Sequence, residues 1–303
     1  MSEEYVLAVD IGGTSIKIGV VLLDKVIEST SIRNTFKGKP ETLIDGIKDL
    51  CNPLISKYNI SKIGVGCPGD IVNGVVVYAS NLGWRNFDLL NAFKQEYQDF
   101  EIAVANDGQA ASNAEVTYGE LKGVEKGLFI TIGRGIGGAI ILGHQILNNV
   151  YNIEGRFGHM VIHTKGRKCN CGRRGCFETY ASVLGLIQTA KDENSKCKEE
   201  DQKIETDKLS GYQIVQYKKQ GNKVAIEAVR KWNNSIAEGI LNLCNIFDPS
   251  MVVIAGGITE SDLISLYYIK QFLSNHDHEN CEVKLAKFKS KTGMIGAASL
   301  VNK

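Results

Sequence analysis

A short strand, a glycine turn and a returning strand occur twice in this chain, more than a hundred residues apart, and this repeat limits the folds open to it. The first copy runs from Tyr5–Asp10 through Ile11-Gly12-Gly13-Thr14-Ser15-Ile16 into Lys17–Leu23. The second runs from Gly127–Ile132 through Gly133-Arg134-Gly135-Ile136-Gly137-Gly138 into Ala139–Leu142. β-rich runs joined at glycine read as hairpins whose tips expose backbone N–H groups, and two such tips can face one nucleotide. A third glycine turn, Gly256-Gly257, follows directly on the buried strand Met251–Ala255. One Gly-Gly pair is an ordinary turn. Three at strand ends point to phosphate binding.

Between the copies, Lys25–Asn34 reads as a third strand and Glu41–Tyr58 as a helix with Leu43, Ile44, Ile47, Leu50 and Leu54 at helical spacing. Ile63–Cys67 and Ile102–Ala105 are short buried strands ending in Pro68-Gly69 and Asn106-Asp107, where a sheet's carboxyl edge carries ligand groups. A helix follows over Gln109–Tyr118, and Gly119–Lys126 reads as the hinge into the second half. Lys191–Asp207, rich in Lys, Glu and Asp, reads as a solvated insertion. Asn222–Phe247 is one long helix with Ala225, Val229, Trp232, Ile236, Ile240 and Leu243 on one face, and Gly293–Leu300 is the final helix. At 303 residues the chain has room for two domains.

Composition sets few limits on partners. With 35 basic and 34 acidic residues the net charge is +1, which supplies no field for nucleic acid or an anionic membrane. The opening MSEEYVLAVD has neither a basic region nor a long apolar run, and no stretch approaches the ~20 apolar residues of a membrane helix. A cytoplasmic protein is expected, with its eight cysteines reduced.

Three of those cysteines carry chemistry. His159, Cys169, Cys171 and Cys176 fall within EGRFGHMVIHTKGRKCNCGRRGCFE, residues 154–178. Three thiolates and one imidazole suit tetrahedral Zn²⁺, with Gly172 and Gly175 allowing the tight turns. Glu178, two residues beyond Cys176, is then held rigidly by the metal loop. Asp10, before the first glycine turn, can hold Mg²⁺ directly or through water, and Thr14 and Lys17 can reach the same phosphates. Asp107 is a candidate general base for phosphoryl transfer, with Asn106 offering both donor and acceptor to a polyol. Asn-Asp in this position equally reads as a helix cap.

These pieces resemble the ROK family of sugar kinases and repressors, within the sugar kinase and actin superfamily. The matching segments are Asp10-Ile-Gly-Gly-Thr14-Ser-Ile-Lys17, Gly66-Cys-Pro-Gly69, Asn81-Leu-Gly-Trp84, Ala105-Asn-Asp-Gly108, Gly135-Ile-Gly-Gly138, Gly158-His159 with the cysteine element through Glu178, and Ala255-Gly-Gly257. The resemblance implies an α/β fold of two RNase H-like (actin-like ATPase) domains with the zinc loop in the second. They are expected at 1–119, joined by the helix at 293–303, and at 120–292. It implies an ATP-dependent hexose kinase of glucokinase type, acting on the sugar 6-hydroxyl with Asp107 as base, and a homodimer. Sugar contacts are implied from Asn81, Asn106, Asp107, His159 and Glu178. ATP and Mg²⁺ contacts are expected from Asp10, Gly12, Gly13, Thr14, Lys17, Gly133, Arg134, Gly135, Gly137, Gly256 and Gly257.

Alternatives within the family are kinases of N-acetylmannosamine, fructose or a β-glucoside, an impaired sugar-binding protein, or a repressor. A repressor carries a helix-turn-helix ahead of the first strand, for which the sequence before Tyr5 leaves no room. Two departures stand out. Arg134 occupies a position where the family usually has Thr. Arg156 stands where it usually has a Glu that accepts from sugar hydroxyls, and a guanidinium has no acceptor. Either Glu154 moves in to serve, or Arg156 recognises an altered or anionic substrate, or sugar binding is impaired.

Overall fold

In the computed structural model, which describes residues 4–147 and 156–301, the first hairpin pairs β1 (Val6–Ile11) with β2 (Ser15–Leu22). β3 (Lys25–Arg33) adds an antiparallel edge, and α1 (Leu43–Tyr58) follows a 3₁₀ turn at Pro40–Thr42. β4 (Lys62–Cys67) lies parallel to β1. Then come β5 (Asp70–Val72), β6 (Val75–Ala79) and β7 (Trp84–Asp88), a small antiparallel sheet, and α2 (Leu89–Glu96). β8 (Glu101–Asn106) completes the order β3-β2-β1-β4-β8, and α3 (Asp107–Tyr118) leaves its carboxyl end.

β1 is buried on both faces, which is why it reads VLAVDI rather than alternating. Leu7, Val9 and Ile11 face the apolar side of α1, where Leu43, Ile47, Cys51 and Leu54 are buried. The opposite face is built from small residues. Register places Ser29, Gly19, Ala8, Gly64 and Ala103 in one row across the five strands. The helix Thr292–Ser299 lies on this row so closely that a Cβ on Gly64 would fall 1.8 Å from the Ala297 carbonyl oxygen.

The second unit repeats the pattern. β9 (Lys126–Ile132) and β10 (Ile136–Leu142) form its hairpin, with β11 (Gln145–Ile146) at the edge. A short α4 (Glu178–Ala181) leads into α5 (Val183–Lys196), α6 (Gly211–Lys219) and the long α7 (Lys223–Phe247). β12 (Met251–Ala255), α8 (Leu266–Ser274) and β13 (Glu282–Leu285) follow, giving the order β11-β10-β9-β12-β13. The Thr292–Ser299 helix, α9, is the last element. All six expected α7 residues are buried in this unit's core with β9 and β12. The chain passes from the first compact unit to the second between Gly123 and Val124, and residues from Ser290 onward belong to the first again.

Several sequence expectations need correction. The second glycine turn is shorter than expected, because Ile136 already pairs with Ile132, so Gly137 and Gly138 lie in β10. The Gly12 N–H is not exposed at its hairpin tip but donates to the Ser15 carbonyl at 2.8 Å. α3 begins at Asp107, not Gln109. Lys191–Asp207 is no free insertion, since α5 runs to Lys196 and Ile204 is buried in the core.

Candidate phosphate, metal and sugar elements

In the first unit, the row beyond the small-residue row holds Lys17, Asp10, Gly66 and Ala105. Asp10 and Lys17 are thus direct cross-strand partners on the face covered by α9. Burial pushes the Asp10 carboxyl above its ordinary value, Lys17 opposes that shift, and Asp107 adds to it. Asp107 lies two positions beyond Ala105, at the first residue of α3. Its Oδ1 accepts from the Gly108 N–H at 2.9 Å. Asp107 is exposed, yet desolvation by the protein around it raises its affinity for a proton.

Asn106 fulfils the capping alternative. Its Oδ1 accepts from Gly108 N–H at 2.8 Å and its Nδ2 donates to the Gly69 carbonyl at 2.7 Å. Both ends of the amide are therefore engaged, and its main work is to fix the start of α3 beside Asp107. Gly13 and Asn81 are neighbours, since a Cβ on Gly13 would meet the Asn81 Cβ at 3.6 Å. Sequence reasoning missed Asn34, which is buried and braces the hairpin: its Nδ2 donates to the Gly12 carbonyl at 2.7 Å and its N–H to the Thr14 carbonyl at 2.9 Å. Its place directly after an edge strand was the available signal.

In the second unit the turn Gly133-Arg134-Gly135 is closed by Gly133 N–H to the Gly135 carbonyl at 2.9 Å, and Val183 N–H donates to the Gly133 carbonyl at 2.9 Å. Glu178 is held here, accepting from Ile136 N–H at 2.9 Å, and a Cβ on Gly135 would strike its Oε2. Sequence reasoning did not foresee this link between the glycine turn and the end of the cysteine loop. Gly256, with φ of +113°, packs on the end of β9, while Gly257 faces open space. That space belongs to a cleft of about 430 Å³ between α6 and the 3₁₀ turn Gly257–Glu260, lined by Val183, Gly211, Tyr212, Val215 and Ile258 among others. A second cleft of about 420 Å³ is lined by Arg134, Lys168, Asn170, Glu178, Leu184 and Gln188, among others.

His159, Cys169, Cys171 and Cys176 converge, with all four ligand atoms within 4.8 Å of one another. Cys169 Sγ lies 3.7 Å from His159 Nδ1, and Cys171 Sγ lies 3.6 Å from Cys176 Sγ. A zinc tetrahedron with bonds of about 2.1–2.3 Å has edges of roughly 3.6–3.8 Å, so these separations fit the ion. The donor chemistry fits as well. N–H groups of Arg173 hold the Cys171 thiol down to about 6, whereas burial pushes Cys176 up to about 12, a conflict a bound cation removes. The loop is anchored by Phe177, whose ring seats against Gly239 of α7. Arg167 donates to the Thr179 and Gly185 carbonyls and to Asp192 Oδ2, at 2.9, 3.2 and 2.6 Å. Glu154 lies outside the described residues; Arg156 is exposed immediately before the 3₁₀ turn Phe157–His159.

The model of the ROK family matches residues 6–303. A glucokinase of Halalkalibacterium halodurans is 29% identical over 99% of this chain and 96% of its own length. A putative xylose repressor of Caldicellulosiruptor is 30% identical over 81% of this chain but only 63% of its own length. The crystal structure of a ROK family glucokinase from Streptomyces griseus, in complex with glucose and AMPPNP, superposes with a TM-score of 0.80 at 27% identity, covering 98% of both chains.

Proposed function

We infer from these elements that this chain, which belongs to the ROK family, is an ATP-dependent hexose kinase of glucokinase type built from two RNase H-like domains. The observation that carries the reading is Asp107, a desolvated carboxylate at the amino end of α3, on the sheet edge that also holds the Asp10–Lys17 pair. Phosphoryl transfer asks for positioning, charge stabilisation and a base for the attacking hydroxyl. Asp107 accepts the proton of the sugar 6-hydroxyl, and Asn106 holds α3 in the position that aims it. A carboxylate whose proton affinity is raised is a better base than an ordinary one.

Thr14, Lys17 and the backbone of the turn at Gly133–Gly135 receive phosphate oxygens. Asp10 holds Mg²⁺ directly or through water, and the ion neutralises phosphate charge. Gly257 and the cleft beside Tyr212 receive the nucleoside. Asn81, His159 and Glu178 bind sugar hydroxyls: His159 turns Nδ1 to the cysteine cluster, which leaves Nε2 for a hydroxyl. Zinc, held by His159, Cys169, Cys171 and Cys176, is structural and fixes that ring. Eight free cysteines agree with a cytoplasmic setting. No helix among the described residues is long and apolar enough to cross a membrane.

A panel of hexoses with ATP and Mg²⁺ tests the reading. Turnover is expected, highest on glucose, and Asp107→Asn should abolish it while sugar binding persists. Full activity in that variant would remove Asp107 from the role of base.

A further inference from the structure

We propose that the cleft beside Glu178 carries an anion subsite, built by Arg134 and Lys168, that takes a phosphate or carboxylate group. The proposal deepens the kinase reading and rests on it for the identity of the sugar, but not for the binding of the anion. The cleft holds about 420 Å³, and all its lining residues belong to the second unit. Its two acidic residues are already engaged. Asp192 pairs with Arg167 at 2.6 Å and accepts from Gln188 at 2.8 Å, and Glu178 accepts the Ile136 N–H. Arg167 is likewise spent on Asp192, Thr189 and two backbone carbonyls.

Arg134 and Lys168 differ from these. Both are exposed, both line the cleft, and neither side chain has an ion-pair or hydrogen-bond partner among the described residues. They project from separately braced supports. Arg134 sits in the closed glycine turn, and the backbone of Lys168 forms an isolated antiparallel β-bridge with that of Arg174 in the cysteine loop, next to Cys169. Two unpaired cations on braced supports, facing a concave space with Asn170 as a further donor, are a recognition device for an oxyanion. Glu178 borders the same cleft, so the anion lies next to the proposed sugar contacts. The two sources of such a group are a substituent on the acceptor sugar and a free phosphate beside a neutral one.

Calorimetric titration of the zinc-loaded full chain with inorganic phosphate and with glucose 1-phosphate tests the proposal. At least one ligand should bind. Arg134→Thr and Lys168→Ala should each weaken it about five- to tenfold, and Lys168→Glu should weaken it further. A clear preference for glucose 1-phosphate assigns a substituent on the acceptor, and equal affinities assign a free anion; both support the subsite. Binding of neither ligand, or unchanged binding in Lys168→Glu with its fold intact by circular dichroism, overturns it. Glucose turnover is read separately. Turnover without anion binding refutes the subsite alone, whereas anion binding through Lys168 without turnover on any hexose refutes the kinase reading alone.

Discussion

Two glycines, one packed against α9 and one within it, separate stability from activity. A Cβ on Gly64 would sit 1.8 Å from the Ala297 carbonyl oxygen and 2.4 Å from its carbon, both main-chain atoms that cannot rotate away. Restoring ordinary contact requires α9 to rise by about 1.5 Å, stripping packing from its own buried residues Met294, Ile295, Ala297 and Ala298. Overpacking costs about 1–3 kcal/mol, and the upper end applies where the neighbour is backbone. For a domain of this size that lowers Tm by roughly 5–10 °C. Gly293 offers the contrast. Its added Cβ would meet the Asp10 carboxylate, a side-chain end that can swing aside. Gly293→Ala should therefore cost under about 1 kcal/mol of stability, yet it drives Asp10 out of the row it shares with Lys17, and kcat/KM should fall about 10- to 100-fold. Thermal unfolding and steady-state kinetics on both variants read the two effects. If Gly64→Ala melts with the wild type, or Gly293→Ala turns over at the wild-type rate, α9 does not set the position of Asp10.

Other outcomes follow from the same geometry. Because burial raises the Asp10 and Asp107 carboxyls above about 3.8, their ionised forms oppose folding; the penalty is absent below the unfolded pKa, grows as pH rises from there to the folded value, and is constant above it. Asp107→Asn should thus raise Tm at pH 7 while removing turnover, and the gain should vanish near pH 3. The acid limb of kcat/KM should likewise lie above the usual carboxylate range. Elemental analysis should find one zinc per chain, lost in Cys176→Ser, with sugar KM raised and circular dichroism largely kept; unchanged KM in a metal-free folded protein would contradict the role of His159. Arg156→Glu should improve kcat/KM for glucose if a carboxylate acceptor is what the pocket lacks, and no gain would favour an altered substrate.

The parts of the fold set by periodicity were legible in the sequence. β12 ends where its apolar run ends, and α7 buries each residue its spacing named. The repeat of two hairpins was visible because glycine at a strand end leaves a mark in the sequence. The small sheet β5–β7 left none: its strands are three to five residues long and mix exposed with buried positions, too short to establish a period. Ile204 was hidden because its charged neighbours dominate the composition of the stretch, although one apolar side chain suffices to pin it to the core. The convergence of His159, Cys169, Cys171 and Cys176 was legible from chemistry alone. The tie between Glu178 and Ile136 was not, because a side-chain-to-backbone bond across 42 residues leaves no pattern in either segment.

The placement of α9 on the small-residue row has a consequence in time as well as in space. The helix that covers one face of the first sheet is encoded after all of the second unit, so the Gly19–Ala8–Gly64 row waits uncovered while residues 124–289 are made. Small residues suit that wait, since a row of glycine, alanine and serine exposes little apolar surface to capture a wrong partner. During synthesis the second unit can close first, and the unit that begins the chain is finished last.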